Sequence, residues 1–136
     1  MKNNFTGRIL EQAVENVLLQ KNVSIRRSVP YINIYGSKGR TEFVIDTKTK
    51  SIRIECKWQQ SSGSVDEKFC YLYHNCLIMP EKTIIIVIDG DGARKSAVEW
   101  LKNIANNTTS KELYVFNLCE FIKWVNKNLE EKGAVT

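Results

Sequence analysis

Residues 52–60 read IRIECKWQQ, and the polarity of the side chains alternates along this stretch. In an extended strand, successive side chains point to opposite faces. One face of this strand is then apolar and consists of Ile52, Ile54, Cys56 and Trp58. The other face is polar and consists of Arg53, Glu55, Lys57 and Gln59. A carboxylate, an ammonium and an amide in one row indicate that this face of a half-buried strand takes part in chemistry.

The segments around this strand predict a mixed α/β architecture. Helical spacing of apolar residues predicts a helix over 5–20, and 93–106 is predicted as an amphipathic helix. A second helix is predicted over about 65–78, where Pro80 stops it, and a closing helix over 119–132. Alternating or continuously apolar runs predict strands over 23–35, 41–46, 51–59, 82–90 and 112–117. Ser64 and Glu67 form a capping-box pattern at the start of the second helix. The predicted order is α-β-β-β-α-β-α-β-α, with an antiparallel meander, a mixed sheet and helices on both faces.

Composition narrows the class of protein. A length of 136 residues fits one domain with a single core, spanning 1–136. No apolar run is long enough to cross a bilayer and no signal peptide is evident, so we expect a cytoplasmic protein without a membrane partner. The four cysteines lack CxxC spacing and there is one histidine, which argues against a zinc site. A net charge of +5 favours an anionic partner such as nucleic acid.

The polar face of the strand has the side chains that a metal-dependent hydrolase needs. Glu55 offers a carboxylate, which suits a hard cation such as Mg²⁺. Lys57, two positions on, can orient an attacking water or stabilise negative charge on a phosphate. A second carboxylate on the preceding hairpin strand would complete the site. In TEFVID, Glu42 and Asp46 are both candidates and are predicted to share a face with Val44.

These residues together resemble the PD-(D/E)XK nuclease superfamily. The resemblance covers a helix containing Glu11, an acid on the second strand, the ExK tripeptide with Gln59 after it, a helix and a buried strand, over residues 5–118. It implies a restriction-endonuclease-like α-β-β-β-α-β core, extended by a further strand and C-terminal helices. It also implies a divalent-metal site for Mg²⁺, with Mn²⁺ able to substitute. The implied ligands are Glu42, Glu55, Glu11 and the backbone carbonyl of Cys56, with Lys57 and Gln59 beside the reacting water or DNA.

Two residues depart from the superfamily pattern. Thr41 stands where a proline usually precedes the second-strand acid, and Glu42 replaces the usual aspartate. Glu42 is preferred to Asp46 because it begins its strand and stands thirteen positions before Glu55. Asp46 abuts the next turn and stands nine positions before Glu55. Asp46 therefore remains the alternative acid.

Three further basic residues are candidate DNA contacts. Lys68 follows in the helix after the ExK strand, while Lys38 and Arg40 fall in the predicted turn GSKGR over 36–40. Each of these also has a plainer interpretation as a solvated charge. Glu55 and Lys57 could likewise form an ordinary ion pair on a solvated strand face.

The function predicted from these features is that of a Mg²⁺-dependent nuclease acting on DNA, with an endonuclease preferred. One domain holds one active site, so cutting both strands of a duplex favours a homodimer. No separate recognition domain is evident, which favours structure-specific or partner-directed cutting, and no organic cofactor is expected. The alternative is a catalytically decayed nuclease fold that serves as a nucleic-acid-binding or assembly module.

Overall fold

The stretch IRIECKWQQ contributes the central strand of a five-stranded sheet. The computed structural model describes residues 5–59, 65–90 and 95–133, with side chains from 7, 68 and 95 onward in the three segments. The helices in this part of the chain are α1 (Phe5–Leu19), α2 (Val65–Ile78), α3 (Lys95–Asn106) and α4 (Leu118–Asn128). The strands are β1 (Ser24–Ile32), β2 (Lys38–Asp46), β3 (Ser51–Trp58), β4 (Thr83–Asp89) and β5 (Glu112–Phe116). The predicted order of elements is confirmed.

The sheet is mixed, as the short and long connections predict. Its strand order is β1-β2-β3-β4-β5. β1, β2 and β3 pair antiparallel, while β3, β4 and β5 pair parallel. Parallel neighbours need a long crossover, and α2 and α3 provide the two crossovers here. The predicted α/β class with a restriction-endonuclease-like core is confirmed.

Helices cover both faces of the sheet. On one face, Val14 of α1 and Phe121 of α4 pack on Ile54, Ile85 and their neighbours. On the other face, α2 and α3 pack on alternate residues of β4 and β5. The continuously apolar β4 is buried on both sides, as a central parallel strand requires. None of the helices in the described segments is long and apolar enough to span a membrane.

The β1–β2 connection differs from the prediction. The turn closes at 33–37, where the Asn33 N–H donates to the Ser37 carbonyl at 2.8 Å. The Asn33 side chain also accepts hydrogen bonds from the N–H groups of Tyr35 and Ser37. The turn therefore begins and ends earlier than the predicted segment 36–40. Lys38 and Arg40 therefore lie on β2, not in a turn. Ser64, half of the predicted capping pair, lies outside the described residues.

The pairing of β1 with β2 is interrupted opposite Glu42. The register is continuous on both sides, but the Ser28–Glu42 pair is missing from it, and Ser28 has a φ of 52°. A positive φ is uncommon for a non-glycine residue and marks a local distortion of the strand. Regular pairing of β2 with β3 also ends at Phe43–Ile54. The two strands of the hairpin are thus distorted where the candidate second-strand acid lies.

Candidate active site

Glu55 is buried at the centre of the sheet. Both faces of β3 are covered, and the residues Arg53 and Glu55 are each only 1% exposed. The interpretation of Glu55 as part of a half-buried, solvated strand face is therefore wrong. Ionised side chains are almost never fully buried unless they are paired or bound. The partners of these two charges are consequently part of the site.

A chain of polar contacts holds Glu55 in place. The Arg53 guanidinium forms a two-point ion pair with Glu81, in which Nη2 donates to Oε2 at 3.2 Å. Arg53 Nη1 donates to the Thr41 hydroxyl at 2.9 Å, and that hydroxyl donates to Glu55 Oε1 at 3.0 Å. Removing one partner of a buried ion pair costs about 3–5 kcal/mol, because the other charge is left uncompensated. The Glu55 carboxylate is thereby fixed in orientation before any ligand arrives.

Glu42 lies at the point where β2 leaves β3. Its Oε1 accepts the backbone N–H of Cys56 at 2.6 Å, so the side chain occupies the place of a strand carbonyl. Within a strand, the N–H and C=O groups of one residue point toward the same neighbouring strand. The Cys56 carbonyl is therefore directed toward the same side of β3 as the Glu42 carboxylate.

The predicted face of Glu42 is wrong, because the strand turns over beyond Phe43. Phe43 packs on the α1 side, whereas Thr41 bonds to Arg53 and Glu55 on the α2 side, so alternation fails between them. Glu42 bonds to the Cys56 N–H and lies near Glu11 of α1. The distortion at Ser28 breaks the period-two alternation that placed Glu42 with Val44. Thr41, counted as a departure from the superfamily pattern, takes the inward position instead.

The Glu42 carboxyl titrates near neutral pH. Burial raises the pKa of this group to about 7 from an ordinary 4.5, and the Glu55 carboxylate adds to the increase. Glu11 on α1 acts in the same direction, while the Cys56 N–H and the Lys57 ammonium act against it. Because burial and the neighbouring Glu55 carboxylate disfavour the ionised form of Glu42, a cation is favoured beside it.

We expect Glu42→Gln to stabilise the metal-free protein above pH 7. The raised pKa means that stability is fully present below pH 4.5 and is lost as the pH rises through 7. At pH 8 the uncharged amide removes this cost and increases the free energy of unfolding by about 1–3 kcal/mol. At pH 5 the two proteins should differ little. Urea unfolding in EDTA at both pH values measures the difference.

Asp46→Asn is the matched control, and we expect it to change the free energy of unfolding in the opposite direction. The pKa of Asp46 is lowered by hydrogen bonds from Arg26 and Ser51, so its charge stabilises the fold at neutral pH. Its replacement should cost stability at pH 8. A Glu42→Gln protein that is no more stable than its parent at pH 8 contradicts the burial argument for Glu42.

Lys57 lies next to Glu55 and reaches solvent. Its Nζ is 3.7 Å from Glu55 Oε2, and its side chain is 40% exposed. Gln59 and Lys68 line the same cavity of about 340 Å³ on the α2 side of the sheet. Gly90, with a φ of 111°, packs against the Gln59 backbone, and a Cβ there would overlap the Gln59 carbonyl oxygen. The end of β3 is therefore held closely against the end of β4.

The place where β2 separates from β3, beside Glu42, Cys56 and Glu55, is called the seam. Glu11 lies on the opposite side of this seam from Lys57. Together with Glu42 and Glu15 it lines a cavity of about 470 Å³ between α1 and the β1–β2 hairpin. Arg8, Arg27 and Arg40 line the same cavity, and Arg27 pairs with Glu15. The candidate residues thus do not share one cleft, since Glu42 and Glu11 face α1 while Lys57 and Gln59 face α2. Glu55 lies buried between them.

Asp46 is at the other end of β2. It pairs with Ser51 in the β2–β3 register, and its two carboxylate oxygens accept Nε and Nη2 of Arg26 at 2.9 Å each. The Ser51 hydroxyl donates to it as well. The structure therefore brings Glu42, not Asp46, to Cys56 and Glu55.

Comparisons with known proteins identify the family. The family profile described as the PD-(D/E)XK nuclease superfamily domain matches residues 2–129, nearly the whole chain. The chain belongs to the PD-(D/E)XK nuclease superfamily. Members of this superfamily generally hydrolyse phosphodiester bonds with divalent metals. No curated protein matches the sequence.

Two solved structures are similar to this chain. The chain is similar to a crystal structure titled "Protein of Unknown Function AF1548", with a TM-score of 0.52 and 13% identity over 82% of this chain and 55% of that one. A second structure, titled SSO0001, has a TM-score of 0.37 and 21% identity over 79% of this chain and 62% of that one. The chain thus spans less than two thirds of the solved proteins it matches. The first similarity shows the fold alone.

The donor set suits a PD-(D/E)XK metal centre that leaves room for water. Among the described side chains, no group of three or more His, Cys, Asp or Glu residues is close enough to enclose a metal. Mg²⁺ does not need such a cage, because it is usually held by one or two carboxylates, waters and substrate phosphates. The raised pKa of Glu42 beside Glu55 is the observation that fits a cation there.

Sequence reasoning missed the contacts of Thr41, Arg53 and Glu81 with the candidate site. Arg53 carried a signal, because a guanidinium on the inner face of a central strand needs a buried partner. Glu81 gave no signal, since it contacts Arg53 from the loop before β4.

Proposed function

We propose that the protein is a divalent-metal-dependent deoxyribonuclease, acting as a structure-specific or partner-directed endonuclease. The observation that supports this most directly is the position of Glu42. Its carboxylate bonds to the Cys56 N–H where β2 leaves β3, next to buried Glu55 and to Lys57. In our proposal the two acids, the Lys57 ammonium and the Cys56 carbonyl act together at this seam.

The residues divide into metal-holding and charge-stabilising groups. Glu42 and Glu55, with the Cys56 carbonyl and Glu11, would hold Mg²⁺ or Mn²⁺. The bound metal supplies Lewis acidity toward a phosphoryl oxygen and an activated water. Lys57 orients the water and stabilises the negative charge that grows on the phosphate. Gln59, at the end of the same strand, is within the cavity that Lys57 lines and orients the DNA or the water.

Basic residues on both sides of the seam suit a phosphate backbone. Lys38, Arg40 and Lys68 are exposed, and Arg40 donates to the Ser28 carbonyl, which holds its side chain across β1. In our proposal these three residues position DNA without reading its sequence. A homodimer would supply the second active site that cutting both strands requires.

Metal binding is the first test of this function. Calorimetric titration of the parent protein with Mn²⁺ should give millimolar or tighter binding, and Glu55→Gln should abolish it. Glu112→Gln is the matched control, because Glu112 pairs with Lys50 and Thr83 at the far end of the sheet. The control should bind Mn²⁺ as the parent does.

A substrate panel then tests the chemistry. Supercoiled plasmid, linear duplex, single strand and four-way junction are each incubated with Mg²⁺ or Mn²⁺. We expect cleavage of at least one DNA, lost in EDTA and in Glu55→Gln. DNA binding that depends on salt, without metal binding or cleavage, would instead support the catalytically decayed binding module.

A further inference from the structure

The cavity beside Lys57 has features that the metal site does not use. It has a volume of about 340 Å³ and lies between β1, the end of β3 and α2. That volume is near the lower limit of ligand pockets, which suits one small planar group and excludes a double helix. The lining residues relevant to a ligand are Tyr31, Lys57, Gln59, Lys68, Tyr71 and Asn75.

Asn75 lines this cavity and, within the described segments, has an unpaired hydrogen-bond donor. The residue is 1% exposed, and its Oδ1 accepts the Ile34 N–H at 2.9 Å. That contact fixes which end of the amide is oxygen. Nδ2 has no hydrogen-bond partner among the described residues. A buried donor without an acceptor is costly, so a ligand that brings an acceptor is favoured here.

Tyrosine rings form the apolar walls. The Arg53 guanidinium lies 5.7 Å from the centroid of the Tyr31 ring, and Gly39 leaves the space that the ring occupies. A Cβ at position 39 would lie 2.7 Å from Tyr31 Cζ, so this ring is held in place. At the rim, Tyr71 stacks on Tyr35 with centroids 5.6 Å apart and an interplanar angle of 19°. Such exposed rings are the surfaces on which unpaired bases stack.

The charge of the cavity suits a phosphate. Lys57 and Lys68 are its two charged lining residues within the described part of the chain, and both are cations. Lys57 also lies beside Glu55, so the cavity adjoins one of the carboxylates that we propose to hold the metal. A group bound here would therefore be next to the phosphate that the seam acts on.

We infer that this cavity binds one unpaired nucleotide of the DNA substrate. The base stacks on the tyrosines and offers an acceptor to Asn75 Nδ2, while Lys57 and Lys68 contact the adjoining phosphate. This inference rests on the proposed nuclease function and narrows its substrate class. The preferred substrates are single-stranded, frayed or branched DNA, in which a base is free to enter.

The test combines a protein change with a DNA change. Binding of a fluorescent single-stranded oligonucleotide is measured in EDTA, with one abasic site moved along the strand. Tyr71→Ala should weaken binding of the intact strand about tenfold, because a stacked base is lost. At one position an abasic site should weaken binding to the parent by a similar factor, yet have no further effect on Tyr71→Ala. Tyr71→Phe, which keeps the ring, should restore the parent's behaviour.

The controls separate this inference from the nuclease proposal. Trp100→Ala removes an exposed ring of α3 that packs on Tyr73 outside the cavity, and it should leave both affinities unchanged. If the losses of binding free energy from the abasic site and from Tyr71→Ala add at every position, no base occupies the cavity. The inference is then overturned, even when the protein cleaves DNA. If coupling is found in a protein that cleaves nothing, the cavity is supported and the nuclease proposal fails.

Discussion

Lys57→Ala is expected to slow DNA cleavage by about two to four orders of magnitude, the range for a positioned acid–base or electrostatic group. The Lys57 ammonium is close to Glu55 and 40% exposed, and in our proposal it stabilises the charge that develops on the phosphate. A group that acts mainly on the transition state lowers the rate without a matching loss of affinity. DNA affinity at fixed salt should therefore fall far less than the rate. Single-turnover cleavage and binding in EDTA measure the two quantities separately.

Lys127→Ala is the control for charge alone, because Lys127 is exposed on α4, on the other side of the sheet. It should leave the cleavage rate unchanged. Lys38→Ala and Arg40→Ala should do the reverse of Lys57→Ala, weakening binding and sparing the chemical step. A Lys57→Ala protein that cleaves like its parent would assign any activity to residues elsewhere.

Glu42→Ala is expected to reduce cleavage about a thousandfold or more. A metal ion contributes several kcal/mol to the transition state, and each 1.36 kcal/mol is a factor of ten in rate. Asp46→Ala should lose little activity, because Asp46 bonds to Arg26 and Ser51 at the other end of β2. Initial rates at saturating Mn²⁺ compare the two variants.

Both variants must be shown to be folded before their cleavage rates are compared. Circular dichroism and urea unfolding should show both variants folded at the assay pH. If Asp46→Ala is inactive while Glu42→Ala cleaves normally, the metal does not lie at the Glu42 seam. If both cleave normally, neither acid of TEFVID takes part in the reaction.

The sequence predicted the elements well because their signals are local. Alternation in IRIECKWQQ correctly predicted that Ile52, Ile54 and Cys56 share an apolar face, which packs against α1 and α4. The continuous run TIIIVI predicted a strand buried on both faces, and β4 is that strand. Helical periodicity located α1 to within a residue at each end. In each case the pattern over one segment reports directly on which faces of that segment are buried.

The site was harder to predict because its geometry depends on non-local contacts. The exchange of faces between Thr41 and Glu42 follows the distortion at Ser28, a residue of the neighbouring strand. A one-position change of face cannot be read from β2 itself. The burial of Glu55 depends likewise on Arg53 and on Glu81, which comes from a distant loop. Residue types at the site were thus predictable, whereas their orientations were not.

The strand order of the sheet has a consequence for how the chain folds. Each strand pairs with the strand before it, so β1, β2 and β3 can form hairpins with short loop closures as soon as they are synthesised. Glu81 and β4 follow only after α2, so the nascent meander holds Arg53 without its counter-charge. We therefore expect the nascent meander to have a cation on its edge strand β3 without the Glu81 counter-charge, which would disfavour premature pairing with another chain. The residue that orients Glu55 in the finished fold would then also protect the growing sheet before β4 is added.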